Sequence, residues 1–126
     1  MAEGVFDRIY KEAEKKDNVK EISCSQFREI YDSGEDFFLL DVLPSESYSK
    51  GHIKGAVSVP VNTINEKCVS EMLHADSKVI VYCAGYACKA STEAANKLHA
   101  FGLSRVLDFK GGLAEWRRNG NELIGT

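Results

Sequence analysis

Apolar positions along the chain repeat first with a helical period and then in short solid runs. Val5, Phe6, Ile9, Tyr10 and Ala13 fall on one face of a helix drawn through residues 3–16, with Glu12, Glu14, Lys15 and Lys16 largely opposite. Asp17 and Asn18 end that pattern. Val19–Ile22 reads as a short strand. Ser23 or Ser25 then caps a helix carrying Phe27, Ile30 and Tyr31, which Ser33 and Gly34 close. Asp36–Val42 is almost wholly apolar, as a strand covered on both faces has to be. Pro44 and Ser45 punctuate it ahead of a helical turn through Tyr48. Gly51–Ala56 is a turn-rich loop, Val57–Val59 a brief strand closed by Pro60, and Asn62 the cap of a helix carrying Ile64, Val69, Met72 and Leu73. Lys78–Tyr82 is apolar and β-branched, a buried strand. A helix from Ser91 to Ala100 closed at Gly102, a strand Arg105–Asp108, and a short helix through Leu113–Trp116 ending near Gly120 complete the pattern.

Strands alternating with helices over short connections predict an α/β domain: a mainly parallel five-stranded sheet with helices on both faces. No repeat, linker or low-complexity segment interrupts it. The expected division is a helical extension over residues 1–18 and one domain over 19–126. A chain of this length buries roughly two-thirds of its unfolded surface, enough for a real core.

Composition narrows the possible partners. Hydrophobic residues make up 44% and charged residues 28%, with a net charge of -3, ordinary for a soluble globular protein. No basic face is implied, so neither nucleic acid nor an anionic membrane is an expected partner. The chain opens Met-Ala-Glu-Gly without an apolar leader and carries no run of membrane-spanning length, so the expected compartment is the cytoplasm, where thiols stay reduced. Four cysteines stand at 24, 68, 83 and 88. None forms Cys-x-x-Cys, and no Cys/His spacing matches a zinc site. Neither a metal nor an organic cofactor is expected, which leaves chemistry at a thiol.

One stretch draws the chemistry together. Cys83 stands where the strand Lys78–Tyr82 stops, and Ser91 and Thr92 are helix-capping types a few residues on. A strand, a loop and a helix N-terminus in that order form an anion cradle of inward N–H groups, aided by the positive end of the helix. Gly85 permits the φ a tight loop requires. A cysteine in that field is expected to ionise easily, and the thiolate is the reactive form. Ligands of open α/β sheets bind beyond the carboxyl ends of the strands, where Cys83 stands.

Three pieces of the chain resemble a single-domain rhodanese, a sulfurtransferase family. Leu40-Asp41-Val42 followed by Tyr48 and by Gly51-His52-Ile53-Lys54-Gly55-Ala56 is similar to the family's first motif. Val81-Tyr82-Cys83 before an Ala-rich helix resembles its active segment, and Gly111-Gly112 with Trp116 its closing motif. The likeness runs from about Val19 to Gly120. It implies that Cys83 is the sulfur-carrying nucleophile and that the loop Ala84, Gly85, Tyr86, Ala87, Cys88 and Lys89 binds the anion. The partners it implies are a small sulfur donor and a thiol or cyanide acceptor, with a protein acceptor as a further option. The sequence departs from the family twice. Cys88 and Lys89 stand where the usual six-residue loop ends in Arg, giving the variant Cys-x-Gly-x-x-Cys-x-x-Ser. Leu43 replaces a common Arg two residues after Asp41. Both changes remove guanidinium forks for an oxyanion, and so weaken the expectation of thiosulfate as donor.

Two other classes compete. A non-catalytic sulfur-binding or interaction module is one. Cys83-x5-Lys89 also resembles a cysteine phosphatase or arsenate reductase loop, but with a point charge for the bidentate Arg and no carboxylate as general acid. Among the remaining residues, His52 between glycines is expected to anchor its loop by hydrogen bonds, Asp41 to bond loop backbone, and Trp116 to lie in the core. His74 and His99 fall in helical patterns and read as surface. Cys24 and Cys68 read as structural. For Cys88, alternation of side chains along the loop predicts that it points away from Cys83. If it turned inward it would be positioned to act as a resolving thiol.

Overall fold

The computed structural model describes residues 3–16 and 18–125. Helix α1 spans Val5–Glu12, with Phe6 and Ile9 fully buried. It stops short of the helix expected through residue 16. The Ala13 N–H closes the last turn on the Ile9 carbonyl at 2.8 Å, and Ala13 itself turns extended. Glu14–Lys16 then forms strand β1, antiparallel to β2 at Val19–Glu21. Asn18 reverses the chain between them at φ 66°, a left-handed conformation that Asn tolerates. Asp17, expected to help stop the helix, lies outside the described residues. All three residues of β1 are exposed and charged, which suits an edge strand that must not recruit another chain.

Helix α2, Cys24–Asp32, starts at a capping box: Ser23 accepts from the Gln26 N–H, and the Gln26 side chain accepts from the Ser23 N–H. Gly34 at φ 80° follows its end. Strand β3, Phe38–Asp41, leads through Pro44 into helix α3, Ser45–Lys50. Strand β4 is Val57–Ser58. Asn62 does not cap the next helix. Val61–Thr63 is a tight turn after Pro60, and Asn65 caps helix α4, Glu66–Met72, by accepting from the Cys68 N–H at 2.8 Å. His74 consequently lies beyond that helix, exposed. Strand β5 (Lys78–Tyr82), helix α5 (Ala90–Ala100), strand β6 (Arg105–Phe109) and helix α6 (Gly112–Arg118) complete the chain.

The sheet has six strands in the order β1-β2-β6-β5-β3-β4, every pair parallel except β1 with β2. The sixth strand is β1, which a hydrophobic pattern cannot announce because nothing on it is buried. Two apolar layers flank the sheet. One gathers Phe6, Ile9, Phe27, Ile80, Tyr82, Phe109 and Trp116; the other Val79, Val81, Cys83, Ala94, Ala95 and Leu98. Successive β5 residues therefore serve opposite layers, as a pleated strand requires. The first layer contains the Phe27 ring stacked on Phe109 at 4.6 Å and packed edge-on against Trp116 at 5.2 Å. No helix among the described residues is long and apolar enough to cross a membrane.

Candidate active site

Cys83 is the residue after β5, and its side chain is wholly buried on the α5 side of the sheet. The loop behind it is fixed from two sides. The Cys88 N–H donates to the Gly85 carbonyl at 3.0 Å and folds the loop back on itself. The Leu113 and Ala114 N–H groups at the start of α6 donate to the Cys83 and Ala84 carbonyls at 3.0 and 2.9 Å. Gly112 makes that approach possible. It sits at φ 54°, and a Cβ there would lie 2.1 Å from the Cys83 carbonyl oxygen. The Gly111-Gly112 pair thus locks the reactive loop to α6, while Trp116, one helical turn on, anchors that helix in the core.

The start of α5 differs from expectation. Lys89, not Ser91 or Thr92, is the N-cap, and its side chain makes no capping bond. The orphan N–H groups of the first turn act on sulfur instead: the Ser91 N–H favours the Cys83 anion, and the Ala90 N–H, with Ala84 from the loop, favours the Cys88 anion. Because the helix begins before Ser91 and Thr92, their hydroxyls face inward. The Thr92 hydroxyl donates to Asp108 at 3.1 Å and accepts from the Lys110 ammonium at 2.8 Å. Ser91 is buried between Cys83 and Asp108, close enough to favour the anion of each, but without a hydrogen bond of good geometry. Burial holds the Asp108 carboxyl above the usual carboxylate range, against the pull of Ser91, Thr92 and Lys110.

The two thiols titrate in opposite directions. Burial pushes Cys83 up, and its hydrogen bond to Cys88 pushes it further; the Ser91 groups only partly offset this. The easily ionised Cys83 expected from a helix N-terminus is therefore not the resting state. Burial also opposes ionisation of Cys88. There the hydrogen bond from Cys83, the Ala90 and Ala84 N–H groups and the nearby Lys110 charge outweigh it, and Cys88 falls below the ordinary thiol value. Cys88 thus turns toward Cys83, contrary to the outward orientation that alternation predicts. The loop is too tight for strand-like alternation to hold. The Cys83 thiol also lies 3.5 Å from the Cys88 carbonyl oxygen.

Lys110 is the cation that sequence reasoning missed. Its ammonium donates to the Cys88 carbonyl at 2.7 Å. Lys89, expected to be the loop's cation, is exposed. A signal for Lys110 existed: β5 and β6 run parallel with Tyr82 opposite Phe109, so the residue after each strand, Cys83 and Lys110, must be neighbours. Of the loop residues, Ala84, Ala87 and Tyr86 are exposed and Gly85 is half-buried. Tyr86, Ala87, Lys89 and Lys110 border an open groove of about 840 Å³ beside the loop.

On the opposite layer, the other expected polar residues are structural. The Tyr82 hydroxyl donates to Asp41 at 2.8 Å and accepts from the Ile53 N–H at 3.1 Å. Asp41 also accepts from the Leu43 N–H at 3.1 Å. His52 is buried, with Nδ1 at 2.8 Å from the Tyr48 carbonyl and its ring stacked on Tyr48. It anchors the loop and lies away from the thiols. Cys24 is buried in α2, Cys68 is half-buried within α4 against the second apolar layer, and His99 is exposed on α5.

A strand-end cysteine cradled by a loop and a helix N-terminus on a parallel sheet defines the architecture of the rhodanese-like domains. The family pattern for the rhodanese-like domain matches residues 23–119, and the chain belongs to that family. Among solved structures, the BH2092 protein of Bacillus halodurans shares 32% identity at a TM-score of 0.75, over 95% of this chain and 82% of that one. YrkF of Bacillus subtilis, named as a candidate sulfur carrier protein, is 31% identical over 104 residues, 82% of this chain and 54% of its own length. A tRNA uridine(34) hydroxylase of Salmonella newport is 28% identical over 122 residues, 94% of this chain and 33% of its own length. The chain therefore spans about half, or less, of these two curated relatives.

Proposed function

We propose that the protein is a cytoplasmic sulfurtransferase that carries sulfane sulfur as a persulfide on Cys83. One observation supports this above the rest: the loop at the end of β5 folds back over the Cys83 thiol, with its Cys88 carbonyl 3.5 Å from that sulfur and the Lys110 ammonium bonded to the same carbonyl. In the proposed cycle, the Cys83 thiolate attacks the sulfane sulfur of an anionic or persulfide donor. The donor's remaining fragment leaves as an anion toward Lys110 and the loop N–H groups, whose charge and dipoles stabilise it. A thiol or cyanide then takes the outer sulfur. The exposed Tyr86 beside the groove offers a contact for an acceptor carried on a protein.

A second reading, a sulfur-binding module without turnover, is favoured by the complete burial of Cys83. The phosphatase reading loses ground, because the Lys89 it needs inside the loop is exposed. The deciding experiment incubates the reduced protein with thiosulfate, mercaptopyruvate and glutathione persulfide and locates added mass by peptide mapping. We expect about 32 Da on Cys83 and turnover with at least one donor, both lost in Cys83→Ala while the fold persists. Loading without turnover would establish the binding module. Full activity in Cys83→Ala would overturn the sulfurtransferase reading.

A further inference from the structure

The second thiol of the loop has no part in a one-cysteine cycle, yet it is the better placed of the two to ionise. Cys83 has no solvent contact, whereas Cys88 is only half-buried. The turn closed by the Cys88 N–H and the Gly85 carbonyl returns the chain to its own start. It brings the Cys88 carbonyl to 3.5 Å from the Cys83 sulfur, with the Cys88 thiol close enough for Cys83 and the Ala84 and Ala90 N–H groups to favour its anion. Both thiols are free. Cys24 packs in the opposite apolar layer, and Cys68 lies at the edge of this one.

We propose that Cys88 is a second reacting residue, whose thiolate attacks the Cys83 persulfide, releases hydrosulfide and closes a Cys83–Cys88 disulfide. This rests on the persulfide reading above. The new bond joins the Cys88 sulfur to the inner, Cys83 sulfur. The bond between inner and outer sulfur breaks, and the outer sulfur leaves with the electron pair and its proton as HS⁻. Two cysteine sulfurs are oxidised by one electron each, and the sulfane sulfur gains both electrons, so no outside oxidant is required. The Ala84 and Ala90 N–H groups hold the attacking thiolate beside its target, and the lysine on the Cys88 carbonyl fixes the loop in that fold. A dithiol reductant returns the pair to two thiols by ordinary exchange. The activity added is reductive release of sulfide from a persulfide, with the intramolecular disulfide as its resting product when reductant is scarce.

The test uses the full chain, reduced, desalted and oxygen-free, with one equivalent of glutathione persulfide. Hydrosulfide, intact mass and a non-reducing peptide map are read in wild type, Cys88→Ser and Cys88→Ala. In wild type we expect about one hydrosulfide per chain above the variants, a mass about 2 Da below the reduced protein, and a Cys83–Cys88 linked peptide. In both variants about 32 Da stays on Cys83 until a thiol is added. A wild-type protein that keeps the added sulfur on Cys83, with no disulfide and no excess hydrosulfide, overturns the role of Cys88 and leaves the persulfide reading standing. Failure of wild type and both variants alike to load or release any sulfur overturns the persulfide reading, and this inference with it.

Discussion

Tyr82 and Cys83 are neighbours in sequence and opposites in chemistry. Tyr82 points into the layer of Phe27 and Trp116, and its buried hydroxyl has both a donor and an acceptor partner in Ile53 and Asp41. Cys83 points into the layer under α5. There the Ser91 hydroxyl and one oxygen of Asp108 are buried without hydrogen bonds, and the two thiols are shifted in opposite directions. Buried polar groups cost free energy unless paired. The Tyr82 hydroxyl has its pairing completed, although the Trp116 ring N–H in the same layer has no partner among the described residues; the Cys83 side keeps groups in reserve around the thiol itself that a bound anion or a moving proton would satisfy. A polar residue at the end of a parallel strand is therefore not diagnostic of reactivity. The incompleteness of its partners is.

The largest effect is expected where the reactive side is braced. Gly112→Ala forces a side chain into a left-handed backbone and onto the Cys83 carbonyl. The conformation alone costs about 1–3 kcal/mol, and the overlap adds to it by displacing α6 from the loop. We expect a clearly lowered unfolding midpoint together with loss of sulfur loading at Cys83. A variant that unfolds earlier but loads normally would show that the brace serves stability only.

Next in size is Tyr82→Phe, on the satisfied side. It removes a hydroxyl and leaves the Asp41 oxygen and the Ile53 N–H buried without it, at a cost of about 1–3 kcal/mol, read by urea unfolding. The pH dependence has a definite sign. Burial raises the Asp41 carboxyl above its ordinary value, and the Tyr82 and Leu43 hydrogen bonds pull it back down. A carboxyl raised in the folded state weighs against folding once pH exceeds its unfolded value, and that cost is relieved as pH falls through the folded value. Without the Tyr82 hydroxyl the carboxyl rises further, so the variant's deficit should be largest at neutral pH and shrink in acid. Sulfur loading by the folded fraction should stay near wild type. A loss there as large as in Gly112→Ala would mean that the two layers are not independent.

The two sides were not equally legible in the sequence. Leu40-Asp41-Val42 and the Gly51–Ala56 loop announce the satisfied side, because a buried acid, a Pro and paired glycines leave marks at fixed spacing. Cys83 is equally plain as a thiol at a strand end. The α/β alternation and the parallel order follow from solid apolar runs and short connections. What escaped depends on contacts without a local pattern. Strand β1 is three charged, exposed residues paired through backbone alone. The inward turn of Cys88 is set by a tight loop closed by its own N–H on the Gly85 carbonyl. Lys110 reaches the loop from the next strand.

The smallest expected effect separates the two lysines of the reactive side. Lys89 stands in the loop by sequence but in solvent by structure, and an exposed charge acts on an anion weakly and through salt-screened attraction. Lys89→Ala should change KM for an anionic donor by no more than about twofold and leave kcat alone, the pattern of a uniform ground-state contribution. Lys110 is bonded to the Cys88 carbonyl and to Thr92 and helps lower the Cys88 thiol. Lys110→Met should therefore move the pH profile of Cys88 alkylation upward, since an anion that loses a nearby cation needs higher pH to form. Labelling of wild type with a neutral haloacetamide, followed by peptide mapping, should show Cys88 modified at lower pH than Cys83. In Lys110→Met the two profiles should approach one another; in Lys89→Ala they should stay apart. A Lys89 variant that shifts the Cys88 profile as far as the Lys110 variant would place the effective charge in the loop after all, and the strand-end neighbour of Cys83 would be only a structural tie.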